Sequence, residues 1–186
     1  VIEGPSAETD EMCVLVGGYW PRLPLDAELC LADGSGPVLE GTRTCEQTVD
    51  CMVDAGVGVY LGSGGSGEGH ALGLDELGEL YRIGVEGCAG RVPVYCNPPG
   101  ARSAREMLDK VRLAVDAGAD LVQLYQLDAG HGRQPVVAEQ ELYFRELLGQ
   151  FATPVALSIH AAVGYLAPSS LVVRLSYLDA EQEYIA

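Results

Sequence analysis

Apolar runs of strand length alternate along this chain with helices whose apolar residues recur at helical spacing. Strands are predicted to begin near residues 57, 92, 119 and 154, one strand–helix unit apart each time. These runs are mostly continuous rather than alternating, which is typical of a parallel sheet covered on both faces. Strict alternation of strand and helix therefore predicts right-handed βαβ units in a single α/β domain over residues 1–186.

The predicted boundaries follow from periodicity and from capping residues. Predicted strands cover 13–18, 57–61, 92–96, 119–125 and 154–160, and residues 183–186 are interpreted as the start of another. Predicted helices cover 44–56, 73–87, 103–118, 138–148 and 168–178. Ser103 with Glu106 at the third helical position is a helix-start signal, and Gly118 marks the end of that helix. Residues 1–12 are predicted to be a loose polar segment and 21–43 a long loop.

Two α/β architectures are compatible with this pattern. A doubly wound parallel sheet of five or six strands would be complete at 186 residues. A (β/α)8 barrel requires about 250 residues, whereas five strand–helix units and the opening of a sixth strand are visible here. On pattern alone, the doubly wound sheet is favoured.

A glycine- and serine-rich loop follows the strand at 57–61 directly. Residues 62–69 contain five glycines, two serines and Glu68, and an amphipathic helix comes next. A strand that opens into such a loop before a helix can present backbone N–H groups and hydroxyls to an anion. No Gly-Lys-Ser/Thr follows, so it is not a Walker loop, and its GxGxxG spacing alone is a weak dinucleotide signal. An anion site and a flexible turn remain open.

Charge and composition exclude several partner classes. The net charge is −16, so binding to nucleic acid is not expected, because too few cations are present to neutralise phosphates. The absence of an 18-residue apolar run predicts no membrane span. Six cysteines without CxxC spacing are predicted to be buried thiols in a reducing compartment, which favours the cytoplasm. The three histidines lack metal-ligand spacing, and no cofactor motif is convincing, so neither a metal nor a cofactor is expected.

Several segments resemble one family in order and spacing. The loop reads Gly64-Gly65-Ser66-Gly67-Glu68, a helix start reads Leu72-Gly73-Leu74-Asp75-Glu76, the next strand reads Arg91-Val92-Pro93-Val94-Tyr95, and a helix end reads Ala114-Val115-Asp116-Ala117-Gly118-Ala119-Asp120. This series is similar to that of the dihydrodipicolinate synthase / N-acetylneuraminate lyase family of pyruvate-dependent class I aldolases, over roughly residues 44–178. The resemblance implies the N-terminal part of a (β/α)8 TIM barrel, usually assembled as a homo-oligomer. It also implies carbon–carbon lyase chemistry in which a lysine forms a Schiff base with pyruvate or another 2-oxo acid.

The resemblance also suggests where a substrate would bind. Its carboxylate would meet the loop at Gly65, Ser66 and Gly67. Other polar groups are expected at the same end of the barrel because they follow later strands: Asn97, Gln126, Asp128 and His160. Asp128 with His131 or His160 could act as an acid–base pair. The alternative without a catalytic role is that His131 is an exposed loop residue and that His160 is a core histidine with its hydrogen bonds made inside the protein.

Departures from the family pattern bear on activity. Gly65 replaces one of the loop hydroxyls, and Gln126-Leu127-Asp128-Ala129 stands where the family has Thr-Pro-Tyr-Tyr with its relay tyrosine. The Schiff-base lysine would be expected just beyond Ala186. The only lysine of the sequence, Lys110, lies on a predicted helix, outside the apolar arc, and is expected to face solvent. Either a longer polypeptide or a completing partner chain supplies the lysine, or the protein is a non-catalytic barrel that serves as a binding or assembly subunit.

Overall fold

A computed structural model describes residues 45–56, 58–64 and 69–179 of the chain. The predicted strands at 13–18 and 183–186, the loose segment 1–12 and the loop 21–43 lie outside the described residues. Within them, strand and helix alternate as predicted.

The described elements are five α-helices, four strands and two short 3-10 turns. The helices are α1 (Cys45–Asp54), α2 (Leu74–Cys88), α3 (Ala104–Ala117), α4 (Val137–Leu147) and α5 (Ser169–Asp179). The strands are β1 (Val59–Leu61), β2 (Val94–Cys96), β3 (Leu121–Tyr125) and β4 (Val155–Ser158). The 3-10 turns are Gly69–Ala71 and Ala161–Val163.

Capping interactions explain where α3 begins and ends. The Ser103 hydroxyl accepts a hydrogen bond from the Glu106 N–H at 3.2 Å, and the Glu106 carboxylate accepts from the Arg102 N–H at 2.9 Å. The first bond satisfies a backbone donor that the first helical turn leaves unpaired, and the second holds the residue just before the cap. Gly118 ends the helix with φ at 91°, a left-handed conformation that glycine adopts at low cost. The predicted start and stop of this helix are confirmed.

The four strands form one parallel sheet in the order β1-β2-β3-β4. Each helix packs on the next one along the chain, α1 on α2, α2 on α3, α3 on α4 and α4 on α5. Strand order therefore follows the chain without the reversal that creates the switch point of a doubly wound sheet. The favoured doubly wound alternative does not fit, and the sheet is a segment of a barrel wall with its helices outside.

The core lies between this sheet and its helices. Val59, Leu61, Val94 and Cys96 are buried towards the helices. The closest approach is at Gly84 of α2, where a Cβ would stand 2.1 Å from Leu61 Cδ1. A side chain at this position would force either the Leu61 side chain or α2 to move.

The opposite face of the sheet, called the inner face below, carries polar and aromatic side chains. Strand side chains alternate between faces, so Tyr60, Tyr95, Gln123 and Tyr125 point away from the helices, and all four are half-buried. The Tyr60 hydroxyl donates to the side-chain Oε1 of Gln123 across the intervening strand β2. In a closed barrel, these residues line the interior.

Within the described ranges, none of the helices has the length and apolar content needed to cross a bilayer.

Candidate functional site

The carboxyl ends of the four parallel strands meet at one edge of the sheet, the edge where barrel enzymes hold their substrates. The strands end at Leu61, Cys96, Tyr125 and Ser158. Polar residues follow each of them within two positions: Ser63, Asn97, Gln126 and His160. The topology therefore brings the predicted strand-end residues to a common edge.

The glycine-rich loop after β1 is closed at its base. The Gly69 N–H donates to the Ser63 carbonyl at 2.9 Å, and His70 Nδ1 lies 2.7 Å from the Gly64 carbonyl oxygen. A Cβ on Gly69 would stand 2.0 Å from the Gly62 carbonyl oxygen, so this return path requires glycine. The two ends of the loop are therefore held together at the carboxyl end of β1.

The sequence predicts that three residues of this loop bind the substrate carboxylate. Gly65, Ser66 and Gly67 lie outside the described residues. Their role in anion binding stays a prediction.

Asn97 is wholly buried at the end of β2. Its backbone N–H donates to the Leu61 carbonyl at 2.8 Å, which places it beside the start of the glycine loop. Its side-chain Nδ2 donates to the Tyr125 hydroxyl oxygen at 3.0 Å. Its Oδ1 is buried, and no described residue donates a hydrogen bond to it. Such an atom costs stability unless a donor reaches it.

Gln126, a predicted substrate-binding residue, serves as a structural tie instead. Nε2 donates to the His160 carbonyl at 3.0 Å and to the Tyr165 carbonyl at 2.6 Å, and Oε1 accepts from the Ala167 N–H at 3.3 Å. The side chain is fully buried, and these bonds use both ends of its carboxamide. It joins the end of β3 to the segment that follows β4.

The two candidate acid–base residues lie on neighbouring strand-end segments. Asp128 is half-buried and its Oδ1 accepts from the Gly130 N–H at 2.8 Å, which fixes a local turn. Burial, and then the Asp128 carboxylate, raise the pKa of Tyr165 to about 12. His160 is exposed, so it is not a core histidine, and its carbonyl is bound by Gln126. His131 is exposed in a turn, with φ at 50°.

The expectation that Lys110 faces solvent is wrong. Its side chain is only 13% exposed, and Nζ donates to the Gly100 carbonyl at 3.1 Å and to the Glu106 carboxylate at 2.8 Å. A further contact at 3.4 Å reaches the Pro99 carbonyl. The aliphatic stem lies along the protein, and the ammonium group ties α3 to the loop after β2. All three contacts are structural, so Lys110 is not placed as a nucleophile.

Two tyrosines near this edge were not predicted as site residues. Tyr125 ends β3, points to the inner face and accepts from Asn97. Tyr81 of α2 is fully buried beside Gly62; its hydroxyl has no hydrogen-bond partner among the residues that the structure describes, and burial raises its pKa. Tyr125 could have been found from the sequence, because it lies two residues after Gln123 and so points to the same face of the strand. Nothing in the helical pattern distinguishes Tyr81 from an ordinary core residue.

Within the described part of the chain, no three metal-ligating side chains come together. Cys88 and Cys96 are buried free thiols. Burial raises the pKa of both, so neither is an activated thiolate.

The sequence of the chain is similar to those of known proteins of one family. Residues 40–125 match the family model described as the dihydrodipicolinate synthetase family. A 4-hydroxy-tetrahydrodipicolinate synthase from Nitratidesulfovibrio vulgaris is 28% identical over 108 residues, which are 58% of this chain and 36% of that protein. A trans-O-hydroxybenzylidenepyruvate hydratase-aldolase from Sphingobium xenophagum is 28% identical over 105 residues, 56% of this chain and 32% of that protein. The chain thus spans about a third of the length of these relatives.

Solved structures support the barrel assignment. A prophage protein of the dihydrodipicolinic acid synthase family from E. coli K12, solved in complex with pyruvate, superposes with a TM-score of 0.66 at 25% identity. That match covers 77% of this chain and 48% of the other. A dihydrodipicolinate synthase from Bacillus anthracis superposes with a TM-score of 0.64 at 24% identity, covering 74% and 47%. The described sheet and helices are therefore about half of a TIM barrel of this type.

Proposed function

We propose that the native protein belongs to the dihydrodipicolinate synthetase family, whose model the chain matches over residues 40–125, and that it is a class I aldolase-like lyase acting on a 2-oxo acid such as pyruvate. The observation that carries the proposal is the glycine loop, held closed at the carboxyl end of β1 by the Gly69–Ser63 hydrogen bond in a chain with this family match. A loop anchored there can present backbone N–H groups to a carboxylate.

In this proposal, the loop tip binds the substrate carboxylate and the other strand ends surround the reacting carbons. Gly65, Ser66 and Gly67 supply backbone N–H groups, and Ser66 adds a hydroxyl. Asn97 stands at the next strand end. Asp128 and His160 remain the candidates for proton transfer. Gln126 is assigned to the scaffold, because its carboxamide is bonded to three backbone groups.

The Schiff-base amine is proposed to come from outside residues 1–186. A nucleophilic lysine must be neutral and free to attack a carbonyl carbon. Lys110, the only lysine of the sequence, is bonded to Glu106 and to carbonyls of the loop that follows β2. We expect a lysine at the end of the sixth strand of a longer polypeptide, or one contributed by a completing partner chain.

A non-catalytic barrel is the second candidate. Gly65 replaces a hydroxyl of the family loop, and the chain's one lysine is engaged structurally. A binding or assembly subunit would keep the fold and the anion loop without the covalent step.

Borohydride trapping tests the covalent mechanism on the full-length native protein. With pyruvate present, reduction of a Schiff base should leave a stable adduct on one lysine, detected by intact-mass and peptide mass spectrometry. Ser66→Ala is expected to slow trapping roughly tenfold through loss of one charge-assisted hydrogen bond. Ser169→Ala, at the exposed start of α5, is the matched control and should trap at the original rate. Saturable pyruvate binding without any adduct would favour the non-catalytic barrel.

We further propose that the protein works in the cytoplasm as a homo-oligomer or with a completing chain. The buried free thiols of Cys88 and Cys96 fit a reducing compartment. The intact mass and the solution mass of the native protein test the assembly.

A further inference from the structure

Asp128 is held in place by its backbone and by one of its two carboxylate oxygens. Its backbone N–H donates to the Ala101 carbonyl at 3.0 Å, which ties it to the loop that follows β2. Its Oδ1 accepts from the Gly130 N–H at 2.8 Å. The other oxygen, Oδ2, is not buried, and no described residue donates a hydrogen bond to it. A fixed carboxylate therefore keeps one oxygen accessible at the carboxyl end of β3.

The two residues before Asp128 are bound to the segment that follows β4. The Leu127 carbonyl accepts a hydrogen bond from the Tyr165 hydroxyl at 2.6 Å. The Gln126 carboxamide binds the same segment through the Tyr165 carbonyl at 2.6 Å and the Ala167 N–H at 3.3 Å. Gln126 and Tyr165 are both buried, and hydrogen bonds are stronger where water is excluded. The chain that leads into Asp128 is therefore fixed by a neighbouring strand-end segment.

Tyr165 also lies near the Asp128 side chain itself. Burial, and then the Asp128 carboxylate, raise the pKa of the Tyr165 hydroxyl. A phenol with a raised pKa keeps its proton at neutral pH and remains a hydrogen-bond donor. Tyr165 is thus suited to hold the Leu127 carbonyl in place, and not to give up its own proton.

We propose that Tyr165 and Gln126 are positioning residues for Asp128, which transfers a proton in the reaction; this rests on the function proposed above. With pyruvate bound to a lysine as an imine, Asp128 Oδ2 accepts a proton from the methyl carbon. The C–H bond breaks, its electron pair forms the enamine double bond, and the cationic imine nitrogen becomes neutral. The reverse step returns the proton. Such a transfer depends strongly on placement, since an error of about 1 Å can cost roughly a hundredfold in rate.

Exchange of the pyruvate methyl hydrogens for deuterium tests the proposal on the full-length native protein. Proton nuclear magnetic resonance in D2O follows this exchange and reports C–H cleavage without a second substrate. Asp128→Asn should lower the kcat of exchange by about a hundredfold or more, because the proton acceptor is lost. Tyr165→Phe should lower kcat roughly tenfold and leave the KM for pyruvate within about twofold, because the carboxylate remains but is less well placed.

A double-mutant cycle separates positioning from a general loss of structure. In the Asp128→Asn background, Tyr165→Phe should have no further effect on exchange, because the group that it positions is already gone. Tyr143→Phe is the matched control. Its hydroxyl donates to the Tyr125 carbonyl at 3.2 Å, also at the end of β3, and its loss should leave exchange unchanged. If Tyr165→Phe does not fold, Gln126→Met takes its place in the same cycle.

Three results would overturn the proposal: full exchange in Asp128→Asn, full exchange in the folded Tyr165→Phe variant, or an equal loss from Tyr165→Phe in both backgrounds. Borohydride trapping shows whether the proposed function survives such a result. A trapped pyruvate adduct in a wild type that does not exchange would overturn this inference and leave the covalent step intact. A wild type that neither traps nor exchanges pyruvate would overturn the proposed function and this inference together.

Discussion

The carboxamide of Gln126 donates to the carbonyl of Tyr165 across 2.6 Å, from the end of β3 to the segment after β4. The same nitrogen reaches the His160 carbonyl, and the oxygen accepts from the Ala167 N–H. One buried side chain therefore hydrogen-bonds to three backbone groups of the segment that follows β4. Buried backbone groups must find partners, so this tie holds the β4–α5 segment against the sheet.

Gln126→Leu is expected to lower the free energy of unfolding by about 2–4 kcal/mol, because it removes the partner of the buried Tyr165 carbonyl and Ala167 N–H while keeping the side-chain volume. Urea denaturation followed by circular dichroism measures the change. Gln134→Leu is the matched control in an exposed loop and should change stability by no more than about 0.5 kcal/mol. Equal stability of the two variants would show that the Gln126 bonds are dispensable.

Gly84→Ala tests the close approach of α2 to β1. A Cβ at this position would stand 2.1 Å from Leu61 Cδ1, so either the side chain of Leu61 or the helix must move. Overpacking of this kind costs about 1–3 kcal/mol, against the gain of nearly 1 kcal/mol that alanine brings to a helix.

Gly78→Ala on the same helix is the control for Gly84→Ala. Its Cβ would lie 3.3 Å from Leu113 Cδ2, which a small side-chain shift relieves. Gly78→Ala should therefore be neutral or stabilising by up to about 1 kcal/mol in thermal denaturation. A Gly84 variant as stable as the Gly78 variant would contradict the tight contact.

Local sequence signals predicted the elements of this fold closely. The helix predicted at 103–118 is observed as Ala104–Ala117, because the Ser103 cap and the Gly118 stop are encoded within the helix itself. Strands were predicted too long: 92–96 is observed as Val94–Cys96. Strand length depends on how far a neighbouring strand continues the ladder, and that neighbour is remote in sequence.

The candidate site was predicted less completely than the fold. Asn97 was predicted because it follows a strand. Its partner Tyr125 lies 28 residues away, and only the pairing of β2 with β3 brings the two side chains together. Gln126 was placed at the correct edge, yet its partners at residues 160–167 depend on a tertiary contact. The helical periodicity predicted that Lys110 lies outside the core, because periodicity describes the Cα position and not the reach of a long side chain.

The doubly wound sheet was favoured because it would be complete at this chain length. The observed strand order β1-β2-β3-β4 does not fit that architecture.

Lys110→Met should lower the free energy of unfolding by about 1–2 kcal/mol. The substitution keeps most of the aliphatic stem and removes the ammonium group that holds the Gly100 carbonyl and Glu106. Arg105→Met, at an exposed position of the same helix, is the control and should be within about 0.5 kcal/mol of the wild type. In the trapping experiment, Lys110 should carry no pyruvate adduct; a reduced adduct mapped to Lys110 would contradict its structural assignment.

Alkaline pH should destabilise the protein through Tyr165. Burial and the neighbouring Asp128 carboxylate raise its pKa to about 12 in the folded state, above the ordinary value of about 10 for an unfolded chain. The folded state thus retains a proton that the unfolded state loses, so stability is full below about pH 10 and falls as the pH rises towards 12. Burial raises the pKa of Tyr81 and Tyr143 as well, which acts in the same direction.

Urea denaturation at a series of pH values from 8 to about 12 measures this loss, with tyrosine ionisation followed by ultraviolet absorbance. Tyr165→Phe should lower stability by about 1 kcal/mol at pH 8, where it loses the bond to the Leu127 carbonyl. Above pH 10 the same variant should show a shallower decline than the wild type, because one group that resists ionisation when folded has been removed. Parallel declines in the two proteins would show that the Tyr165 pKa is the same in the folded and unfolded states.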